Sequence, residues 1–325
     1  MAHKRENKEF RLLYEMDSNC RKPFSAIGKK IRMSQQLISY KVKSMAKEGI
    51  IKGNYPLIDY SRFGYLDFMV FFRANYVSEK NFAELIERMK KHDSITQLIE
   101  CDGKYDILAT FAAKNPSAFN KTLRKLIVED PELKNCMILP MVVEHHFLRN
   151  YLVRKIGDED VVVGGDREEI QIDNTNMKII KPLVGGRKGV MEIAEASKIT
   201  PKTIISRLKW MEEKGIIKQY RLLLNLRPEG ILSNILLLRY LNVSVEKEEE
   251  FKNFCKSNPN IIEFIKTFGE WDIILNVETT SMAEFRKLFL EIREKFEDII
   301  EEFDNFRIFM VHKKQFLPTE AFEKL

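Results

Sequence analysis

Residues 47–55, KEGIIKGNY, return as EKGIIKQY at 213–220, which places Gly49 and Gly215 166 positions apart. The same step joins Ile38 to Ile204, Met45 to Met211, Gly64 to Gly230, Arg73 to Arg239, Gly103 to Gly269, Asp106 to Asp272, Phe119 to Phe285 and His146 to His312. A repeat of this length exceeds any solenoid unit, so each half is expected to be a complete module with several elements of its own. The 325 residues therefore hold two such modules and little else. Between them, residues 154–172 mix acids, Gly164-Gly165 and a short valine run, and read as a linker. A flexible chain of that size spans roughly 25–30 Å, enough for the halves to pack on one another, and its valines suit a short added strand.

Several classes of function are excluded by what is missing. The apolar run 231–243 is broken by Arg239 and Asn242 and stops short of the roughly 18–20 apolar residues a bilayer demands. The opening MAHKRENKEF has no apolar core of a secretory signal, so a cytoplasmic protein with no membrane partner is expected. Cys20, Cys101, Cys136 and Cys255 are scattered without a CxxC, which favours reduced core thiols over zinc or disulfides. The five histidines form no HExxH, and no GxGxxG, GxxxxGK[ST] or GxSxG occurs. No metal, no cofactor and no catalytic residue is expected.

Charge divides each half again. Residues 1–60 carry 13 basic against 6 acidic side chains, a net +7, and residues 173–227 carry 12 against 5, again +7, whereas residues 228–325 sum to −6. Two short, strongly basic segments, each opening its half, point to a polyanionic partner. Both segments have one pattern. In the second, helices are expected over 176–183 and 190–198, and a third begins at Thr200-Pro201 and is stopped by Gly215, with the N-cap and first-position residues a helix start favours. Ile204, Leu208 and Met211 share one face of that helix, as Ile38, Val42 and Met45 do in the first half, where Ser34 is the N-cap. The opposite face is polar and basic. The β-rich stretches that follow, IIKGNYPLID and IIKQYRLLLN, suit a small hairpin wing in each half. Three helices and a wing make a winged helix-turn-helix.

Beyond the wings the hydrophobic period changes. Strands over 66–76, 95–101, 105–112 and 137–144 alternate with helices over 79–92 and 116–127, and the middle strands meet at Asp102-Gly103. The second half repeats the order over 233–243, 246–256, 261–267, 271–277, 282–296 and 301–309. This βαββαβ order predicts a ferredoxin-like sandwich, whose open sheet face must be covered by another sheet, so self-association is expected. The fold class is α+β: winged helix-turn-helix domains at 1–60 and 173–227 alternate with ferredoxin-like domains at 61–153 and 228–325, joined by the linker 154–172.

The units MSQQLISYKVKSMAKEGIIKG and ITPKTIISRLKWMEEKGIIKQY, together with the turns DGKYDIL and FGEWDIIL, resemble those of the Lrp/AsnC (feast/famine) transcriptional regulators, over nearly the whole chain and twice. Family members usually carry one module per chain and dimerise through the effector-type domain, so this chain departs by fusion. It departs also in the opening LDxxDxxIL, here RENKEFRLL and IDNTNMKII, and in the GDYD turn, whose neighbours differ between halves. The resemblance implies double-stranded DNA as partner, an amino acid or similar metabolite as effector, and a homo-oligomer or an intrachain pseudo-dimer.

The DNA-contacting candidates are Ser34, Gln35, Gln36, Ser39, Tyr40, Lys41 and Lys43 in the first unit, and Thr200, Lys202, Thr203, Ser206, Arg207 and Lys209 in the second. Gln offers a bidentate fit to adenine, and Ser and Thr make permissive base contacts. The bland alternative is a solvated polar helix face. By resemblance the effector lies near Asp102, Gly103, Asp106, Gly269 and Asp272; the alternative is a tight turn that needs glycine and a local hydrogen-bonding aspartate. His145, His146 and His312 are expected to be structural or on the surface, and Trp210 to pack against the wing. An enzyme reading also exists, because siroheme decarboxylases share this two-domain architecture. Similar proteins place His and Arg on the strand entering the glycine turn, where the strands here read ITQLIECDG and IIEFIKTFG and have neither.

Overall fold

The computed structural model describes residues 7–156, 158–186 and 189–322. The first half runs α1 (Asn7–Ser18), α2 (Phe24–Ile31), α3 (Gln35–Lys47), β1 (Ile51–Ile58), β2 (Leu66–Ala74), α4 (Glu79–Lys91), β3 (Ile95–Asp102), β4 (Ile107–Ala113), α5 (Pro116–Glu129) and β5 (Leu133–His146). The linker contributes β6 (Val161–Gly164). The second half runs α6 (Asn174–Val184), α7 (Val190–Ser197), α8 (Pro201–Glu213), β7 (Ile217–Leu224), β8 (Leu232–Tyr240), α9 (Val245–Ser257), β9 (Ile261–Thr267), β10 (Ile273–Thr279), α10 (Met282–Lys295) and β11 (Ile300–Lys314). No helix among the described residues is long and apolar enough to cross a membrane. Cys20, Cys101 and Cys255 are buried thiols, but Cys136 is exposed, which corrects its expected place in the core.

The wings differ from the sequence reading. In place of a hairpin in each half, β1 pairs antiparallel with β7 of the other half, Asn54 opposite Leu222 and Pro56 opposite Tyr220. Each strand lacks a partner in its own module and finds it in the repeat. The two three-helix units share one core around this ribbon, with Leu12, Ile38 and Met45 from one and Ile179, Ile204 and Met211 from the other. Their turns also dock reciprocally: Cys20 N donates to Tyr220 O at 2.8 Å, and Asn54 Nδ2 donates to Gly186 O at 2.9 Å.

The sandwich sheets join as well. Their strands run β2-β4-β3-β11-β8-β10-β9-β5, and β5 pairs again with β2, closing eight strands into a ring that β6 borders. Inside it Phe71, Leu108 and Leu139 of the first half pack against Leu237, Ile274 and Phe306 of the second. Outside, α4 and α5 cover one sheet and α9 and α10 the other. The sheet face that demanded a partner is thus covered within the chain. The last strands of the two halves pass the half-way point of the ring, each pairing first with its own module and then with the other. Their register also corrects the repeat. Met69 and Ile235 keep the step of 166, but their partners Leu139 and Phe306 are 167 apart, so His146 and His312 are not structural equivalents.

One end of the ring is lined by charge. Asp67 is 1% exposed and neither of its carboxyl oxygens has a hydrogen-bond partner among the described residues. Burial first, and Glu144 second, push its carboxyl well above the ordinary carboxylate range. His146 lies 3.3 Å from the carboxylates of Glu144 and Glu263; burial alone would lower its pKa, but these two neighbours raise it. Lys314 Nζ sits 2.6 Å from Glu263, whose carboxyl these cations hold well below its usual range despite burial. Asp67, Glu144, His146, Glu263 and Lys314 thus share one cluster. Because the folded value of Asp67 exceeds its unfolded 3.8, its contribution to stability is full below that pH and is lost as pH rises through the folded value. In urea unfolding, wild type should lose stability relative to Asp67→Asn by on the order of 1 kcal/mol per pH unit in that window. Parallel pH profiles for the two proteins would contradict this protonation.

Candidate nucleic-acid interface

The third helix of each three-helix unit forms as its local chemistry dictates. Ser34 Oγ accepts from Leu37 N at 3.2 Å and Thr200 Oγ1 from Thr203 N at 3.3 Å, so both N-caps are made by the residues the sequence marked. Ile38 and Met45, with Ile204, Leu208 and Met211, face the shared core. The outer face of α3 presents Gln35, Gln36, Tyr40 and Lys43, with Ser39 half-buried; that of α8 presents Lys202, Ser206 and Lys209, with Thr203 half-buried. Two exposed apolar side chains join them, Leu37 and Ile205, which composition cannot single out because an apolar helix position usually means core. Trp210 is half-buried and packs against the shared core.

Lys41 does not face outward as the sequence suggested, and Arg207, though partly exposed, is engaged in an ion pair. Lys41 Nζ turns back to Glu9 at the start of α1, 2.6 Å away, and is only 21% exposed. Arg207 Nη1 pairs with Asp173 at the start of α6 at 2.8 Å. Both cations stand one repeat step apart and tie the recognition helix to the first helix of their unit. Long side chains can swing a full helix turn, so helical position alone does not say where the charge ends.

The glycine turns lie where the modules meet. Gly103 has φ +141°, and a Cβ there would approach Phe306 Cβ to 3.2 Å; Gly269 has φ +124° and faces Leu139 at 3.6 Å. Each turn thus rests on the last strand of the other module. Asp106 and Asp272 act locally: their Oδ2 atoms accept from Ala74 N and Tyr240 N, each at 2.8 Å, and pin the turns to the ends of β2 and β8. Asp102 is exposed. Of the five effector candidates, Asp106 lines a groove of about 410 Å³ along the β3–β11 seam, with Tyr76, Phe82, Glu100, Phe309 and His312. His312 Nε2 is 2.8 Å from Glu100. At the corresponding seam of the second half, Lys266 and Glu248 occupy the places of Glu100 and Phe82 and form an ion pair at 2.6 Å. The seams are therefore chemically unlike.

No protein-family model matches the chain. It is 28% identical over 144 residues to the HTH-type transcriptional regulator FL11 of Pyrococcus furiosus, an alignment that covers 44% of this chain and 93% of that protein. It is 24% identical over 130 residues to the HTH-type transcriptional regulator Ptr1 of Methanocaldococcus jannaschii, covering 40% and 86%, and 27% identical over 121 residues to the leucine-responsive regulatory protein of Haemophilus influenzae, covering 36% and 72%. Among solved structures, the siroheme decarboxylase NirDL superposes over 98% of this chain and 96% of its own with a TM-score of 0.58 at 13% identity, a likeness of fold. The sequence relatives are regulators of the Lrp/AsnC type that match less than half of this chain each, and the whole-chain neighbour has the same tandem fold.

Proposed function

We propose that this tandem relative of the Lrp/AsnC regulators is a sequence-specific DNA-binding transcriptional regulator in which one polypeptide supplies both reading heads. The observation that carries the reading is the pair of exposed, polar third helices, α3 and α8, held in one shared core and each belonging to a segment of net charge +7. Gln35, Gln36, Tyr40, Lys43, Lys202, Ser206 and Lys209 are the base- and phosphate-contacting set; Ser34 and Thr200 cap the helices, Ser39 and Thr203 contribute from their margins, and Lys41 and Arg207 orient them. An amino acid or similar metabolite acts through the groove at the β3–β11 seam, where Asp106 and Glu100 meet aromatic walls.

Fluorescence anisotropy on the chain's own upstream DNA and on scrambled DNA, across a salt series, tests the reading. Tight binding that weakens steeply with salt yet keeps a preference of 10³-fold or more, roughly the lower end for specific sites, is expected. Equal affinity for both DNAs would count against specificity, and no binding at low salt against the reading itself. A second reading is favoured by one observation, the whole-chain likeness to NirDL. Against it, residues 95–103 and 261–269 contain neither His nor Arg. A visible absorbance band on adding siroheme to the purified protein would move the assignment to the enzyme.

A further inference from the structure

The loop between α1 and α2 shares a cleft with the recognition helix of the other unit. Its backbone is pinned there, because Cys20 N donates to Tyr220 O on β7 at 2.8 Å. Next along the loop, the Arg21 guanidinium lies over the Tyr220 ring at 4.6 Å, and Lys22 Nζ donates to Ser18 Oγ at 3.1 Å. Both side chains border a cleft of about 370 Å³ whose far wall is α8, with Ile205, Lys209 and Glu212. The acid in that cleft is engaged: Glu212 Oε1 accepts from Tyr220 Oη at 2.8 Å. Among the described residues neither Arg21 nor Lys22 has a carboxylate within ion-pair distance. Arg21, held by stacking, and Lys22, exposed on the docked loop, therefore add two cations beside α8 from the other module.

The arrangement follows from the repeat. Gly186, one step of 166 after Cys20, is docked on β1 by Asn54, as Cys20 is docked on β7 by Tyr220. In sequence the Arg-Lys pair also recurs at the same step, as Arg187-Lys188 directly before α7. Duplication has thus kept the reciprocal docking of Cys20 and Gly186, and in sequence the Arg-Lys dipeptide that follows each.

We infer that Arg21 and Lys22 are phosphate-contacting residues for the half-site read by α8, so that the first unit helps to hold the second unit's DNA. This rests on the DNA-binding reading given above. The partner is the sugar–phosphate backbone, because a stacked guanidinium and a flexible ammonium on a loop make charge-assisted contacts without reading base edges. Contacts of this kind fix register and couple the two half-sites: unit one cannot leave its own groove without loosening the grip on the other.

The test uses the full chain. Wild type, Lys22→Gln and Arg21→Gln/Lys22→Gln are titrated on the same operator fragment across a salt series. Lys22→Gln is included because Lys22 is exposed and its Nζ makes only an exposed hydrogen bond, to Ser18 Oγ, so the fold should not notice its loss. Each phosphate contact removed should flatten the plot of log affinity against log salt by about 0.9, with the preference over scrambled DNA unchanged. In ethylation interference, the lost phosphates should flank the half-site marked by a cleaving reagent attached at Lys202→Cys, in a Cys136→Ser background, and not the one marked from Gln36→Cys. If wild type shows a steep slope and both variants keep it, the inference fails while the DNA-binding reading stands. Loss of phosphates beside the α3 half-site also overturns it. A wild type that binds no DNA overturns both.

Discussion

Asp17→Ala is expected to cost about 3–5 kcal/mol of stability, because it leaves the buried Arg221 guanidinium without its carboxylate and takes from Arg149 one of its two. Asp17 is fully buried in α1, and its Oδ2 accepts from Arg149 Nη1 at 2.9 Å and from Arg221 Nη2 at 2.7 Å. Burial would raise its carboxyl, but Arg221 and Arg149 outweigh that and hold it below the ordinary value. Arg149 also grips Glu278 of β10 at 2.8 and 3.1 Å, and Tyr151 Oη donates to the same carboxylate at 2.6 Å. One network therefore clamps the first helical unit, the second unit's β7 and the second sandwich. The repeat supplies the control. At the related positions of the other side stand Leu183, Tyr55, Ala112 and Leu317, all buried in the shared helical core. Asp17→Leu, Arg221→Tyr, Glu278→Ala and Arg149→Leu together, with Tyr151→Phe, should recover most of what Asp17→Ala loses, since replacing a whole buried network by packed apolar groups is often neutral or stabilising. Chemical unfolding of both variants measures this. A quintuple variant no better than the single one would show that the charges are needed for more than mutual compensation.

The second large effect concerns DNA sequence. Because the two helical units share a core, the spacing of α3 and α8 is fixed, and selection from random DNA should return two half-sites about one helical turn, 10–10.5 base pairs, or a multiple apart. The half-sites should differ, because Gln36 corresponds to Lys202, Ser39 to Ile205 and Tyr40 to Ser206. Copying the α8 face onto α3 through Gln36→Lys, Ser39→Ile and Tyr40→Ser should turn the selected site towards a palindrome. Each altered base contact is worth about 1–3 kcal/mol, so preference for the original half-site should fall by two orders of magnitude or more. A palindrome selected by wild type would sink the idea of unequal heads, and an unchanged site after the graft would remove these three positions from base reading.

How far the sequence could be read depends on how local each question is. Ser34, Thr200 and Pro201 announce helix starts because a cap acts within three residues, and the structure has those caps in place. Asp106 and Asp272 could be assigned a local hydrogen-bonding role from their place after a glycine turn, and they have it. The ion pairs of Lys41 and Arg207 are not legible in sequence, because a salt bridge to α1 or to the start of α6 is a contact across 32 or 34 residues that helical periodicity does not encode. The wing hairpins were misplaced for a related reason: alternation marks a strand and its buried face but does not name its neighbour.

The amino-acid sequence alone determined that the chain is a duplicated module, that each copy is a basic three-helix unit followed by a βαββαβ sandwich, and which helix face is polar. These follow from period, capping and charge, which act over a few residues and are repeated twice. Only the tertiary structure decided that β1 pairs with β7, that the two sandwiches close into one ring, that Asp17 meets Arg149 and Arg221, and that Arg21 and Lys22 lie beside the other unit's helix. An unpaired strand edge and an uncovered apolar face state that a partner is required; shape and register in three dimensions choose which one.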